Sequence, residues 1–90
     1  MAYATTNPFT GEIVATFPFA TDAEVDAAID AAHAAFEQWR ETGFAERATV
    51  MHRAATILRR DVETYAHVLT LEMGKLIGEA RAEVELSAAI

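Results

Sequence analysis

Asn7-Pro8-Phe9-Thr10-Gly11-Glu12 is the stretch from which the fold can be read outward. Pro8 fixes φ for a turn, and Gly11 tolerates a left-handed backbone. On either side lie β-prone runs, Tyr3 to Thr6 and Ile13 to Phe17. In the second run Ile13, Ala15 and Phe17 alternate with Val14 and Thr16, as a partly buried strand requires. The pattern predicts a two-stranded hairpin over about 3–17. Isolated two-stranded hairpins are marginal in water, so this one needs helices or other strands to lean on.

Helical signals fill the rest of the chain. Thr21-Asp22-Ala23-Glu24 matches a capping box and opens a helix predicted over about 22–40. Val25, Ile29, Ala32, Phe36 and Trp39 recur at spacings of four and three as one apolar stripe, with Asp22, Asp26, Asp30 and Glu37 away from it. The acidic first turns suit the positive end of the helix dipole. The stripe reads as core, so Phe36→Ala or Trp39→Ala is expected to cost about 3 to 5 kcal/mol.

After a break at Thr42-Gly43 a second pattern spans about 45–73, with Met51, Ala54, Leu58, Val62, Tyr65, Leu69 and Met73 along one face. One long helix and two abutting helices, the second starting at Asp61, are both open. Gly74 fits the position just past a helix end, where a residue lacking Cβ adopts the left-handed conformation. A third pattern spans about 78–90, with Ala80, Val84 and Ala88 on one side and Ala82, Leu86 and Ile90 on another. Apolar residues on two faces predict burial all round. Leu86 to Ile90 carries no stop signal, so the sequence reads as ending inside a helix.

Composition sets limits on function. A chain of ninety residues buries only about 60% of the surface its unfolded form exposes, so its independent stability is expected to be marginal. Of the 52% apolar residues many are alanine, which favours helix but supplies little core volume. A net charge of −7 argues against nucleic acid, because neutralising phosphates needs clustered Lys and Arg. Arg53, Arg59 and Arg60 fall beside Asp61 and Glu63 and read as a solvated helix face. No apolar run approaches the roughly 18 residues of a membrane span, and no secretory pattern opens the chain, so the expected setting is cytoplasmic.

The absence of cysteine excludes a disulfide framework, a thiolate metal site and a cysteine nucleophile within these residues. His33, His52 and His67 stand in no metal-ligand motif. Glu79 and Glu83 could present two carboxylates on one face, but Arg81 and Glu85 make an i,i+4 pair in the same helix, and a charged solvated face is the reading. Gly74-Lys75-Leu76-Ile77-Gly78 lacks phosphate-loop spacing and a Ser or Thr after the lysine, and reads as a turn between helices. The residues themselves therefore assign no catalytic, cofactor-binding or metal-binding role.

Four blocks in order carry a resemblance. Asn7-Pro8-x-Thr10-Gly11-Glu12, then Thr21-Asp22-x-Glu24-Val25-Asp26-Ala27-Ala28-Ile29 leading to Trp39, then Glu46-Arg47-Ala48, then Leu71-Glu72-Met73-Gly74-Lys75, together resemble the extreme N-terminal part of an NAD(P)-dependent aldehyde dehydrogenase. Thr70 to Lys75, with Ala34, Phe36 and Phe44-Ala45-x-Arg47-Ala48, is most similar to the succinate-semialdehyde dehydrogenase branch. The fold class is then mainly α with an N-terminal β-hairpin, the opening piece of an α/β, Rossmann-like cofactor-binding domain that is incomplete at its C-terminal side.

The resemblance implies a full-length enzyme in which a cysteine attacks the aldehyde, a hydride passes to NAD or NADP, and water activated by a glutamate hydrolyses the thioester. Those groups lie further along in the family, so no catalytic or cofactor residue is carried over to this segment. It also implies that some members hold a structural monovalent cation at positions equivalent to Thr5, Thr6 and Glu72, although a plain Glu72–Lys75 i,i+3 pair is the favoured reading of Glu72. Leu76 departs from the family pattern, where proline often follows Gly-Lys. The implied partners are the remainder of the dehydrogenase chain and further copies in a homo-oligomer. By itself the segment is expected to be inert, and a small helical interaction module working through its Ala-rich third helix is the alternative.

Overall fold

The computed structural model describes residues 2–90. Strands β1 (Ala2–Thr6) and β2 (Ile13–Pro18) are followed by helices α1 (Asp22–Trp39), α2 (Phe44–Arg60), α3 (Val62–Met73) and α4 (Ile77–Ala89). The molecule is thus mainly helical with an antiparallel N-terminal hairpin, the class that the sequence predicts.

The hairpin closes through the groups that its turn residues supply. Gly11 sits at φ 77° and its N–H donates to the Asn7 carbonyl, while the Asn7 side-chain oxygen accepts from Phe9 N–H at 2.9 Å. Pairing runs from Ala2 opposite Pro18 to Thr5 opposite Ala15, and then Thr6 opposes Ile13. Val14 is the extra residue of a bulge, which ends the simple alternation that the sequence suggests. Tyr3 and Phe19 meet edge-on with ring centroids 4.5 Å apart.

Local signals also fix the helix ends. Thr21 and Glu24 form the capping box in both directions, the Thr21 hydroxyl accepting from Glu24 N–H and the Glu24 carboxylate from Thr21 N–H at 2.7 Å. Between α2 and α3 a single residue, Asp61, leaves helical geometry at φ −111° and ψ 29°. The long second pattern is therefore two helices. Gly74 ends α3 at φ 71°, in the left-handed conformation.

The core is small and lies on one side of α4. Ala66 of α3 and Ala80 of α4 are fully buried, Val84 joins them, and Leu58, Val62, Leu69 and Ile77 pack around the three. Alanines at the seam let the two helices approach closely. Burial of α4 all round is not what forms. Ala80, Val84 and Ala88 are buried, but Leu86 is 60% exposed, because α2 and α3 both lie against the same face.

The expectation that the α1 stripe is core is likewise corrected. Every residue of α1 is exposed, with Phe36 at 56% and Trp39 at 43%. Among the described residues no strand or other helix packs along that stripe, and only the Arg47 guanidinium of α2 reaches the Trp39 ring at its end. The physical reason is visible in the shape, 46 × 37 × 15 Å, which is one layer of secondary structure. Stable domains bury their apolar faces between two or more layers. The accessible surface of 7292 Å² compares with about 5,200 Å² for a compact monomer of this mass, and the radius of gyration of 17.4 Å with about 12 Å.

Candidate functional site

Two turns distant in sequence meet in space. A Cβ on Gly74 would lie 3.2 Å from Cγ of Pro8, so the hairpin turn rests directly on the end of α3. Gly74 is required twice over there, once for its positive φ and once for the close approach of the proline ring. This junction joins the first and last of the four motif blocks.

The charged groups around it do not pair as the sequence suggests. Past Gly74 the chain has left the helix, so Lys75 is not at helical i+3 spacing from Glu72. Its ammonium instead reaches Glu83 of α4, and the expected Glu72–Lys75 pair is not formed. Arg81 likewise turns away from Glu85. Its Nε and Nη2 donate to the two carboxylate oxygens of Glu63 on α3, at 2.7 and 3.1 Å. That hydrogen-bonded guanidinium holds the Glu63 carboxyl below its ordinary range and raises Arg81 in turn. Glu79 and Glu83 therefore do not act as a carboxylate pair, Glu83 being committed to Lys75 and Glu79 lying exposed.

Thr5, Thr6 and Glu72, the positions implied for a structural cation, have different surroundings. The Thr5 hydroxyl is buried with no hydrogen-bond partner, as is that of Thr70. An orphaned buried oxygen of that kind fits a donor to a hard cation. Thr6 is exposed beside the bulge, and Glu72 is exposed and free of Lys75. Among the described residues no three His, Asp or Glu side chains cluster as a metal site. His33 pairs with Glu37 at 3.1 Å, and His67 Nδ1 lies 2.7 Å from the Glu63 carbonyl.

The sequence reading missed two arginines. Neither α1 nor α4 has a basic residue in its last turn, yet each helix end receives a guanidinium from α2. Arg47 Nη2 donates to the carbonyls of Trp39 and Arg40, its Nε to the Thr42 hydroxyl, and its charge lies 5.6 Å from the Trp39 ring centre. Arg59 Nη2 donates to the Ala88 carbonyl at 3.2 Å. Of the three arginines read as a solvated face, Arg59 is thus tied to another helix. The signal available was negative: α1, α3 and α4 all lack a terminal cation and lie beside one helix rich in arginine.

One shallow groove of about 270 Å³ lies between α2 and α4, walled by Met51, Ala54, Ala55, Leu58 and Ala88. Its lining is mainly apolar, with His52 and Ser87 the polar side chains on it.

Comparison with known proteins reaches the whole chain. The family model described as "Aldehyde dehydrogenase family" matches residues 1–90. A succinate-semialdehyde dehydrogenase (NADP+) of Deinococcus radiodurans is 47% identical over 88 residues, which are 98% of this chain and 18% of that protein. A succinate-semialdehyde dehydrogenase (NADP+) 1 of Mycobacterium bovis is 49% identical over 83 residues, again 18% of its length. The chain thus spans less than a fifth of these curated relatives.

Two solved structures superpose closely. The succinic semialdehyde dehydrogenase of Streptococcus pyogenes, in complex with NADP+, matches with a TM-score of 0.87 and 41% identity over 97% of this chain and 19% of its own. An NAD-dependent benzaldehyde dehydrogenase of Corynebacterium glutamicum matches at 0.88 and 31% identity, over 99% of this chain and 19% of its own.

Proposed function

Because this chain belongs to the aldehyde dehydrogenase family, we propose that it is the N-terminal part of the cofactor-binding domain of an NADP-dependent enzyme that oxidises succinate semialdehyde to succinate. The observation that carries this reading is the gradient of identity. Relatives named for succinate semialdehyde and NADP+ stand at 47 and 49%, and of the two solved structures the succinic semialdehyde dehydrogenase stands at 41% against 31% for the benzaldehyde enzyme. Those two structures match this backbone equally well, at TM-scores of 0.87 and 0.88, so the side chains make the distinction.

In this reading the segment contributes architecture. The thiol that attacks the aldehyde and the loop that holds NADP are supplied by other parts of the enzyme, since these residues include no cysteine and their Lys and Arg side chains, Arg53 apart, are engaged with carboxylates and carbonyls. NADP, when bound, accepts the hydride. Thr5, Thr6 and Glu72 would hold a structural monovalent cation beside the junction of hairpin and α3. The apolar faces left open on α1 and on the outer side of α4 are covered by the remaining dehydrogenase chain, and copies of the whole assemble as a homo-oligomer.

The test is kinetic. The intact protein carrying this N-terminus is expected to reduce NADP with succinate semialdehyde at a higher kcat/KM than with benzaldehyde, and the ninety-residue segment alone to reduce none. A preference for benzaldehyde would remove the substrate assignment. Turnover by the isolated segment would remove the architectural role.

A further inference from the structure

The joint between α2 and α3 has no local cause. Sharp breaks in a helix arise at proline, at glycine or serine, at a π-bulge, or where a group inserts into the hydrogen-bond ladder. Residues 44–73 contain no proline, glycine or serine, and a single residue, Asp61, separates two stretches of regular helix. Asp61 does not cap α3 either. Its side chain makes no bond to the first turn, while Arg60 holds both carboxylate oxygens through Nε and Nη2 at 2.7 to 3.2 Å.

The ladder is interrupted for three bonds only. Asp61 N–H still donates to the Ile57 carbonyl at 3.0 Å, and the Asp61 carbonyl accepts from Tyr65 N–H at 3.3 Å. Between those two bonds, among the described residues, the N–H groups of Val62, Glu63 and Thr64 have no backbone acceptor. The carbonyls of Leu58, Arg59 and Arg60, which a continuous helix would offer them, have no backbone donor. Turning Asp61 from φ −111° and ψ 29° to helical values would make all three bonds.

What opposes that turn is α4. Met51, Ala54, Ala55 and Leu58 extend over about 10 Å of the α2 axis, yet all four line one groove with Ser87 to Ile90, the last turn of α4. α2 is therefore folded over the end of α4. That end is fixed to α2 by the buried Ala88 and by the bond from Arg59 to the Ala88 carbonyl. The rest of α4 is fixed to α3, through Ala80 and Val84 against Ala66 and through Arg81 on Glu63. α4 thus spans the joint and is attached on both sides of it.

We propose that Asp61 is a conformational hinge with α4 as its strap. The bent form is held by the last turn of α4 seated on α2, together with the Arg59 bond. The released form is one continuous helix through Asp61, and it regains the three missing hydrogen bonds. Release swings α2, with the end of α1 tied to it by Arg47, away from α3 and the hairpin turn that rests on Gly74.

The test is amide exchange in the intact protein carrying this N-terminus, compared with its Ala88→Leu variant, whose larger side chain forces the last turn of α4 off α2. In the parent the Val62, Glu63 and Thr64 amides are expected to exchange fast, for want of acceptors. In the variant they are expected to slow by about tenfold, as for a helix formed nine-tenths of the time, while amides in the last turn of α4 speed up. The sign is diagnostic, because simple loosening of the structure speeds exchange and does not slow it. Slow exchange at these amides in the parent, or exchange in the variant as fast as in the parent, overturns the hinge. If Ala88→Leu does not accumulate, Arg59→Gln removes the bond to the Ala88 carbonyl without adding bulk and is measured in the same way: slowing at residues 62–64 supports the hinge, and unchanged or faster exchange overturns it. The measurement needs neither aldehyde nor NADP, so its outcome stands apart from that of the functional assignment.

Discussion

α1 and the α3–α4 pair are written in the same sequence language and end in opposite environments. Both carry apolar residues at spacings of three and four. The stripe with the larger side chains, Phe36 and Trp39, stays open, and the one built from Ala66, Ala80 and Val84 forms the core. An amphipathic pattern says that a face will be covered, but it does not say by what. α3 and α4 cover each other because Gly74 reverses the chain between them within three residues of coil. α1 meets no comparable reversal, and among the described residues its side-chain hydrogen bonds with α2 are those of Arg47 at its C-terminal end.

The largest effect expected from this contrast concerns Phe36. In an intact dehydrogenase that covers α1, Phe36→Ala should lower stability by about 3 to 5 kcal/mol. In the ninety-residue chain alone, where the ring is half exposed, the same change should stay within about 0.5 kcal/mol. Denaturant melts of both forms measure the difference. Equal, small effects in the two would mean that α1 faces solvent in the enzyme as well.

Ala80 gives the reverse pattern at smaller size. Ala80→Leu forces a bulky side chain into the seam against Ala66, both residues being fully buried, and is expected to cost about 1 to 3 kcal/mol whether or not the rest of the enzyme is present. Tolerance of Leu would show that the seam can open. Gly74→Ala follows, at about 1 to 2 kcal/mol for the left-handed backbone, raised further by contact with Pro8. Because that contact ties the hairpin to α3, the variant should also speed amide exchange in β1 and β2. A loss of stability with no change in hairpin exchange would separate the turn geometry from the docking.

Much of the fold was legible because its determinants are local. Thr21 and Glu24 lie three residues apart, Asn7 and Gly11 four, and Gly74 signals its own conformation, so hairpin, cap and helix end could be read directly. What escaped the sequence depends on distance. Lys75 with Glu83, Arg81 with Glu63, and Arg59 with the Ala88 carbonyl all cross between elements, and their partners are set by how α3 and α4 lie together. Spacing within one helix suggested nearer partners, Glu72 and Glu85, that are not used. The functional assignment was legible only as resemblance, since the motif blocks point to a family while no motif among these residues assigns a reacting group.

The smallest expected effect uses pH to separate the same two regions. In the seam, the hydrogen-bonded guanidinium of Arg81 lowers the Glu63 carboxyl, and in the cap of α1 the backbone and hydroxyl of Thr21 lower Glu24. A carboxylate with a folded pKa below its unfolded one stabilises the fold above the ordinary value of about 4.3 and loses that contribution as pH falls through the lowered value. Both groups therefore shape the acid limb, and near neutrality their contribution is present in full and does not vary with pH. The raised Arg81 would be lost only at strongly alkaline pH and leaves this limb untouched. The two are told apart by salt. Glu63 and Arg81 are exposed charges whose attraction is screened, whereas Glu24 acts through local hydrogen bonds to Thr21. Glu63→Gln should therefore flatten the acid limb at low salt and change little at high salt, while Glu24→Gln should flatten it equally at both. If Glu63→Gln leaves the acid limb of the parent intact at low salt, the ion pair contributes nothing to the seam, and packing of alanine on alanine is what holds α3 to α4.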